Sequence, residues 1–340
     1  MSDSPDLLPC NAVSVPRTSQ PNAIREDHTN PMLNQEFASD LLPTAAQPAT
    51  KTDIVTSPEP CRPKTDLPYF DLLMDERSCG GETGQLWENQ VHWGYWEDPA
   101  TAQGTRADYI AAMEQMNGVL INAGKVADGQ KLLDVGCGFG GTIRQINATH
   151  SAMDLTGLNI DPRQLAAAEA QTTSANGNMI GWVEGDACRL PFEDNTFHRV
   201  LAVECIFHFP SREKFLAEAA RVLKPGGYLA VSDFVPTMMF FGKTPFWMAI
   251  RRRIAKSYGT LGNVPLRSYK TLGKRAGLQL DADLNIRKNT MPTYPFLLKF
   301  FREQGSADAQ KTMIVGTRWM KRLSQLGLIQ YRIYTFHKPV

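Results

Sequence analysis

The sequence is poor in the features that mark stapled, membrane-spanning or nucleic-acid-binding proteins. Its 340 residues hold six cysteines, Cys10, Cys61, Cys79, Cys137, Cys188 and Cys205, with no CxxC pair and no Cys/His cluster at zinc spacing. That excludes the common structural zinc sites and predicts no bound metal. A chain of this length can bury a full core without disulfides, and free thiols fit a reducing, cytoplasmic setting. No apolar run is long enough to span a bilayer, and the N-terminus lacks the basic-then-apolar pattern of a secretory signal. Net charge is only +1, so no global field steers the chain toward nucleic acid or acidic membranes. A local basic patch, and with it weak membrane association, stays open. There is no internal repeat, and nothing fixes the oligomeric state.

Composition divides the chain unevenly. Of 22 prolines, 11 fall before Tyr69, in a stretch rich in Ser, Thr, Asn and Asp and nearly free of aromatics. Such a segment buries too little apolar surface to offset its chain entropy. Residues 1–66 are therefore expected to form a disordered leader, and its acidic residues argue against a mitochondrial transit peptide. Residues 67–340 read as one domain. Within it, 67–125 suggest an N-terminal helical lid, 126–235 a nucleotide-binding core, 236–276 a substrate cap and 277–340 C-terminal strands and helices.

The core alternates strand and helix signals. Strands are expected at Lys131–Val135, Leu155–Ile160, Ile180–Glu184, His198–Val203 and Tyr228–Ser232. Helices begin at Gly141 and at Asp161-Pro162. A third runs from an N-cap at Ser211 to Leu223, with Phe215, Leu216, Ala219 and Val222 at helical spacing. Pro225-Gly226-Gly227 ends it. This alternation predicts a parallel sheet covered by helices on both faces. Further strands are expected near Leu278–Arg287 and Ile329–His337, with helices at Thr293–Gln304 and Ala309–Leu326.

The central motif is Leu132-Leu133-Asp134-Val135-Gly136-Cys137-Gly138-Phe139-Gly140-Gly141. Its glycines let the backbone approach a ligand, where a strand meets a helix N-terminus. The glycine spacing alone also satisfies a dinucleotide fingerprint. The context decides between them, because a carboxylate at Asp134 suits a cofactor with a positive amine and sulfonium and sits badly beneath a pyrophosphate. Three more pieces follow in order. Gly157-Leu158-Asn159-Ile160-Asp161-Pro162 offers a polar group for ribose hydroxyls, Glu184-Gly185-Asp186-Ala187 an acceptor for an adenine amine, and Arg221–Gly227 the last turn.

Together these pieces resemble the class I S-adenosylmethionine-dependent methyltransferases, strongly over 131–235. The nearest resemblance is to the branch acting on sterols, tocopherols, quinone precursors and natural products. Gly157-Leu158-Asn159 with Gln164 is similar to the sterol and tocopherol enzymes. Glu204-Cys205-Ile206-Phe207-His208-Phe209 with Arg212 and Phe215 is similar to natural-product O-methyltransferases. The resemblance implies a Rossmann-like sheet with an N-terminal helical lid and an inserted helical cap after the fifth strand. It implies S-adenosylmethionine, held by Asp134, Gly136, Gly138 and Gly140 in the loop. Asn159, Ile160 and Gln164 would follow at the second strand, Asp186 and Ala187 at the third, and Glu204 after the fourth. Many members carry a carboxylate where Asn159 stands, so the ribose partner lies between Asn159 and Asp161, with Asn159 favoured.

The expected reaction is methyl transfer to a small-molecule hydroxyl or ring carbon. His208 is the candidate base, because histidine titrates near neutrality. His92, Trp93, Tyr95 and Trp96 would cover the acceptor, with Phe207, Phe241 and Trp247 as apolar walls. Arg251-Arg252-Arg253 would meet an anionic group or a membrane, or form a solvated helix face. Besides a non-catalytic, cofactor-binding scaffold, two other readings stay open. One is an NAD-dependent oxidoreductase on a similar core. The other is a macromolecular methyltransferase, although Glu204-Cys205-Ile206-Phe207 lacks the Asn/Asp-Pro-Pro-aromatic sequence of amino-group DNA enzymes.

Overall fold

The computed structural model describes Leu86 and residues 90–237, 244–258, 268–303 and 307–340. The expected leader, most of the segment 67–89, and Phe241 lie outside the described residues. Seven strands form one sheet in the order β3-β2-β1-β4-β5-β7-β6. They are β1 (Lys131–Val135), β2 (Asp154–Asn159), β3 (Met179–Glu184), β4 (Phe197–Ala202), β5 (Leu223–Pro236), β6 (Gln279–Asn285) and β7 (Ile329–His337). The first five pair in parallel. The sheet is nevertheless mixed, because β7 runs antiparallel between β5 and β6. Strand-helix alternation reports which segments are strands and not the direction in which the last one returns. β5 also starts earlier than expected, since Pro225-Gly226-Gly227 lie within it.

β1 is buried on both faces, as a central parallel strand must be. Alternate residues feed opposite cores. Leu133, Val135, Val200, Leu229, Val231, Tyr334 and Phe336 pack on one side with Phe215, Leu216 and Tyr269. Leu132, Leu201, Ala230, Tyr331 and Ile333 pack on the other with Trp93, Met116, Ile143, Ile250, Ile254 and Tyr294. β6 is an edge strand, mostly exposed and carrying Asp281 and Asp283, charges that discourage edge-to-edge pairing.

The helices are α1 (Arg106–Ala123), α2 (Gly141–Thr149), α3 (Pro162–Gln171), α4 (Arg212–Val222), α5 (Pro245–Tyr258), α6 (Ser268–Arg275), α7 (Thr293–Glu303) and α8 (Ala307–Gln325). Asp161 caps α3 through Arg163 N–H, with Pro162 at the first position, and Ser211 caps α4 through Lys214 N–H. α5 and α8 lie antiparallel. Ser257 Oγ donates to the Thr312 carbonyl near one end, and Phe246 meets Trp319 at the other. The pair is close enough that a Cβ on Gly316 would lie 2.0 Å from Ser257 Oγ. Strand order reverses between β1 and β4, and the crevice at such a reversal is where open sheets bind ligands.

Candidate active site

The loop after β1 is built by glycines with three different jobs. Gly136, Gly138 and Gly140 have φ of 72°, 54° and 80°, a region that side chains disfavour. The Gly136 and Cys137 N–H groups both donate to the Leu158 carbonyl, at 2.7 and 3.0 Å, tying the loop to β2. A Cβ on Gly136 would lie 2.6 Å from Cys205 Cβ, so this glycine lets β1 and the segment after β4 touch. A Cβ on Gly138 would meet nothing nearer than Gln164 Oε1 at 4.0 Å, and this glycine keeps open space beside the loop. Gly140 turns away, where a Cβ would lie 2.6 Å from Trp182. It is the left-handed residue from which α2 starts, and Gly141 rather than Gly140 lines the cavity.

One cavity gathers most of the residues singled out in the sequence. Asp134, Gly136, Gly138, Asn159, Ile160, Gln164, Asp186, Ala187, Glu204, His208 and His92 all line it. Gln90, Val91 and Thr142, which had not stood out in the sequence, join them, as do Cys205 and Phe209 of the motif that begins at Glu204. Asp134 is 1% exposed. Neither of its carboxylate oxygens has a hydrogen-bond partner among the described residues, and burial pushes its pKa up to about 8. A buried carboxyl group in this condition is costly to ionise. A cationic ligand group that donates hydrogen bonds would remove that cost.

The ribose alternatives separate geometrically. Asp161 is engaged, accepting from Arg163 N–H at 2.9 Å and pairing with the Arg163 guanidinium at 2.7 Å. Asn159 is buried in the cavity wall, and its Nδ2 donates to Gln164 Oε1 at 2.7 Å. That leaves Asn159 Oδ1 as an acceptor and the Gln164 amide as a donor. Across the cavity, Asp186 Oδ1 accepts from Cys188 N–H at 2.8 Å, which fixes the loop after β3.

The cavity wall after β4 carries both Glu204 and His208, the expected base. Glu204 has a left-handed backbone, φ 48°, uncommon for a side chain of its size. Its N–H donates to Ser232 Oγ at 2.9 Å. Its Oε2 accepts from Trp93 N–H at 2.9 Å, and its Oε1 accepts from Tyr331 Oη–H. Burial nonetheless lifts its pKa to about 8. His208 ends the short 3-10 turn Ile206–His208. Burial first, then the positive charge of Arg212, lowers its pKa to about 3, so the expected titration near neutrality does not hold. Arg212 itself is buried, paired with Asp233 at 2.6 Å, and Tyr269 also donates to Asp233. His92 falls to about 4 through burial. Its Nδ1 lies 3.1 Å from the Trp93 carbonyl and donates there, and the Asn117 side chain also acts on the ring.

The aromatic loop proves to be packed core. Trp93 is 6% exposed, edge-on to Phe234 at 4.6 Å and to Tyr294 at 4.5 Å. Trp96 is buried in a separate cluster with Tyr109, and its Nε1 donates to Asp108. Tyr95 and Trp247 are partly buried against the cluster that holds Trp93, and Phe207 is buried against Phe234. Of the residues expected to cover the acceptor, only His92 reaches the cavity.

A methyltransferase domain family matches residues 133–231. Methyltransferase GfsG of Streptomyces halstedii is 30% identical over 239 residues, covering 66% of this chain and 81% of that protein. The 27-O-demethylrifamycin SV methyltransferase of Amycolatopsis mediterranei is 29% identical over 75% of this chain and 92% of its own. The fold is similar to that of the mycolic acid cyclopropane synthase CmaA1, with TM-score 0.65 over 79% of this chain and 95% of that one, at 15% identity.

Proposed function

This chain belongs to the S-adenosylmethionine-dependent methyltransferases, and from that premise we propose that it methylates an apolar small molecule at a hydroxyl or ring carbon. The observation that carries the reading is Asp134, a buried, unpartnered carboxylate at the end of β1 beside the open face of Gly138. Asp134 would accept from the cofactor's ammonium, the Asn159–Gln164 pair would hold the ribose hydroxyls, and the loop at Asp186 and Ala187 would meet the adenine. Gly136 and Ile160 shape the wall around them. When bound, the cofactor supplies a methyl group already activated on a sulfonium. The protein's part is then positioning and exclusion of water, effects that lower barriers by about 7–11 kcal/mol. An NAD-dependent oxidoreductase has no use for a carboxylate at Asp134, and the relatives named above are methyltransferases.

A hydroxyl acceptor, which the name of the rifamycin relative supports, must also lose a proton. His208 is a poor destination, because its burial and the nearby Arg212 disfavour the imidazolium. Glu204 holds a proton far more firmly and is aimed by Trp93 N–H and Tyr331 Oη–H. In this reading Glu204 takes the proton as the oxygen–methyl bond forms, while neutral His208 orients the acceptor.

The test is calorimetric titration with S-adenosylhomocysteine and with NADH, followed by incubation with S-adenosylmethionine and lipid-like, phenolic and glycosylated acceptors under mass detection. Tight binding of S-adenosylhomocysteine and a mass gain of one methylene on an apolar acceptor are expected. Binding of NADH instead, or no homocysteine-nucleoside binding at all, overturns the reading.

A further inference from the structure

The helical cap formed by α5 and α8 carries charge out of proportion to the rest of the chain. α5 contains Arg251, Arg252, Arg253 and Lys256 and no acidic residue. α8 contains Lys311, Arg318, Lys321 and Arg322 against Asp308. These 33 residues therefore hold +7, whereas the whole chain holds +1, so all remaining residues together hold −6. The molecule is strongly polarised although its net charge is near zero.

The cations also sit where a flat partner can reach them. Ile250, Ile254 and Ser257 are the buried stripe of α5. Met248, Arg252 and Lys256 recur at four-residue spacing on the opposite, exposed arc, with Phe246 and Arg253 at its margin. Lys311, Arg318 and Arg322 form one exposed stripe of α8. No carboxylate among the described residues pairs with Arg252, Arg253, Lys256, Lys311 or Arg318. The two faces join at an apolar tip. Phe246 is 61% exposed and Met248 42% exposed. Phe246 meets Trp319, and the Arg322 guanidinium lies 5.7 Å over the Trp319 ring.

We propose that this cap docks the protein on the surface of an anionic lipid bilayer, with Phe246 and Met248 entering the headgroup layer and the cations of α5 and α8 facing lipid phosphates and carboxylates. Exposed apolar tips beside a basic helix face are the design of interfacial helices. α5 has no Asp or Glu with which to pair a partner protein's cations, and exposed Phe246 and Met248 beside its cations suit a headgroup layer better than a phosphate backbone. Among the described residues no helix is long and apolar enough to cross a membrane, so the contact is with the surface. The underside of α5 gives the location a purpose. Ile250 and Ile254 pack in the same cluster as Trp93, Phe234 and Tyr331, and Tyr331 bonds Glu204 at the cavity. The docked face thus backs onto the acceptor end, where an apolar acceptor dissolved in the bilayer would be needed. The docking itself rests on charge and exposure, and does not depend on the proposed reaction.

The experiment is sedimentation of the full chain with phosphatidylcholine vesicles and with vesicles that also contain phosphatidylserine. Strong binding to the anionic vesicles, at least tenfold weaker binding to neutral ones, and loss of binding as salt rises from ~0.1 M toward 1 M are expected. Each interfacial cation contributes about fivefold in partition, so Arg252→Gln with Arg318→Gln should bind roughly 25-fold more weakly. Phe246→Ser should weaken binding by a factor that does not shrink as salt rises, because the apolar contact is not screened. Unchanged affinity for S-adenosylhomocysteine shows that the variants are folded, and that binding alone tests the cofactor reading. Equal partition to both vesicle types, no partition to either, or a double Gln variant that binds like the parent would each overturn the proposal. So would self-association or RNA binding through this face without vesicle binding.

Discussion

Replacing Asp134 by Asn removes an ionisable group from a place where the described residues give it no partner. In an unfolded chain the carboxyl group ionises near its ordinary value of 3.8, whereas in the folded protein it holds its proton up to about 8. The folded state is therefore the better proton binder between those values. Stability falls as pH rises from about 4 to about 8, and levels off above. At ~1.4 kcal/mol per pH unit, the ionisable group costs on the order of 4 kcal/mol at pH 7. Asn has nearly the same shape and none of that cost. At roughly 2–4 °C per kcal/mol for a domain of this size, Asp134→Asn should melt about 10 °C higher at pH 8. The gap should shrink to a few degrees at pH 5. The same substitution should weaken S-adenosylhomocysteine by at least tenfold, the loss of a charge-assisted hydrogen bond. Saturating ligand should then raise the parent's melting temperature much more than the variant's. Differential scanning fluorimetry at the two pH values, with and without ligand, reads all of this. A variant that melts below the parent at pH 8, or binds ligand within threefold of it, would refute both the energetics and the assignment of Asp134.

Glu204→Gln should lower kcat by ~10²–10⁴-fold with near-native cofactor affinity, and the parent's rate should rise through pH of about 8. His208→Gln should keep most activity, and no inflection should appear near 6.5; a large loss there would return the base to His208. Gly138→Ala meets no neighbour, so only its left-handed φ of 54° opposes it; it should fold with a modest loss of stability but bind S-adenosylhomocysteine poorly. Gly136→Ala, which drives a Cβ into Cys205, should lose stability first. Melting temperature and calorimetric affinity, measured together, separate the two glycines. Removing residues 1–60 should leave both quantities intact, since that stretch is proline-rich and nearly free of aromatics.

The half of the cavity proposed for the cofactor was legible because its signals are local. Asp134, Gly136 and Gly138 lie within five consecutive positions, and Asn159 with Gln164 spans one strand end and the helix that follows. Helix caps at Asp161 and Ser211 were legible for the same reason. The acceptor half was not. Glu204 meets Tyr331 across 127 positions and Trp93 across 111, and no spacing rule links residues so far apart. Nor does sequence report burial, which lowers the pKa of His208 and packs Trp93 and Trp96 in the core. The antiparallel β7 escaped because alternation carries no direction. The roles of Gly136, Gly138 and Gly140 looked alike until their neighbours were known.

The place of β7 in the sheet has a consequence for how the protein is made. β5 ends at Pro236 and β7 begins at Ile329, yet β7 is the neighbour that covers the edge of β5 and the partner that β6 requires. A ribosome adding ~5–20 residues each second takes about 5–20 s to cross that interval. Throughout it, the emerging chain holds a long, apolar strand with one side unpaired, and β6 has nothing to pair with. Tyr331, which bonds Glu204, arrives with β7. A nascent chain stalled before Ile329 would thus present the sticky edge without the hydroxyl that bonds Glu204, and a chaperone that shields β5 would be most needed until β7 emerges.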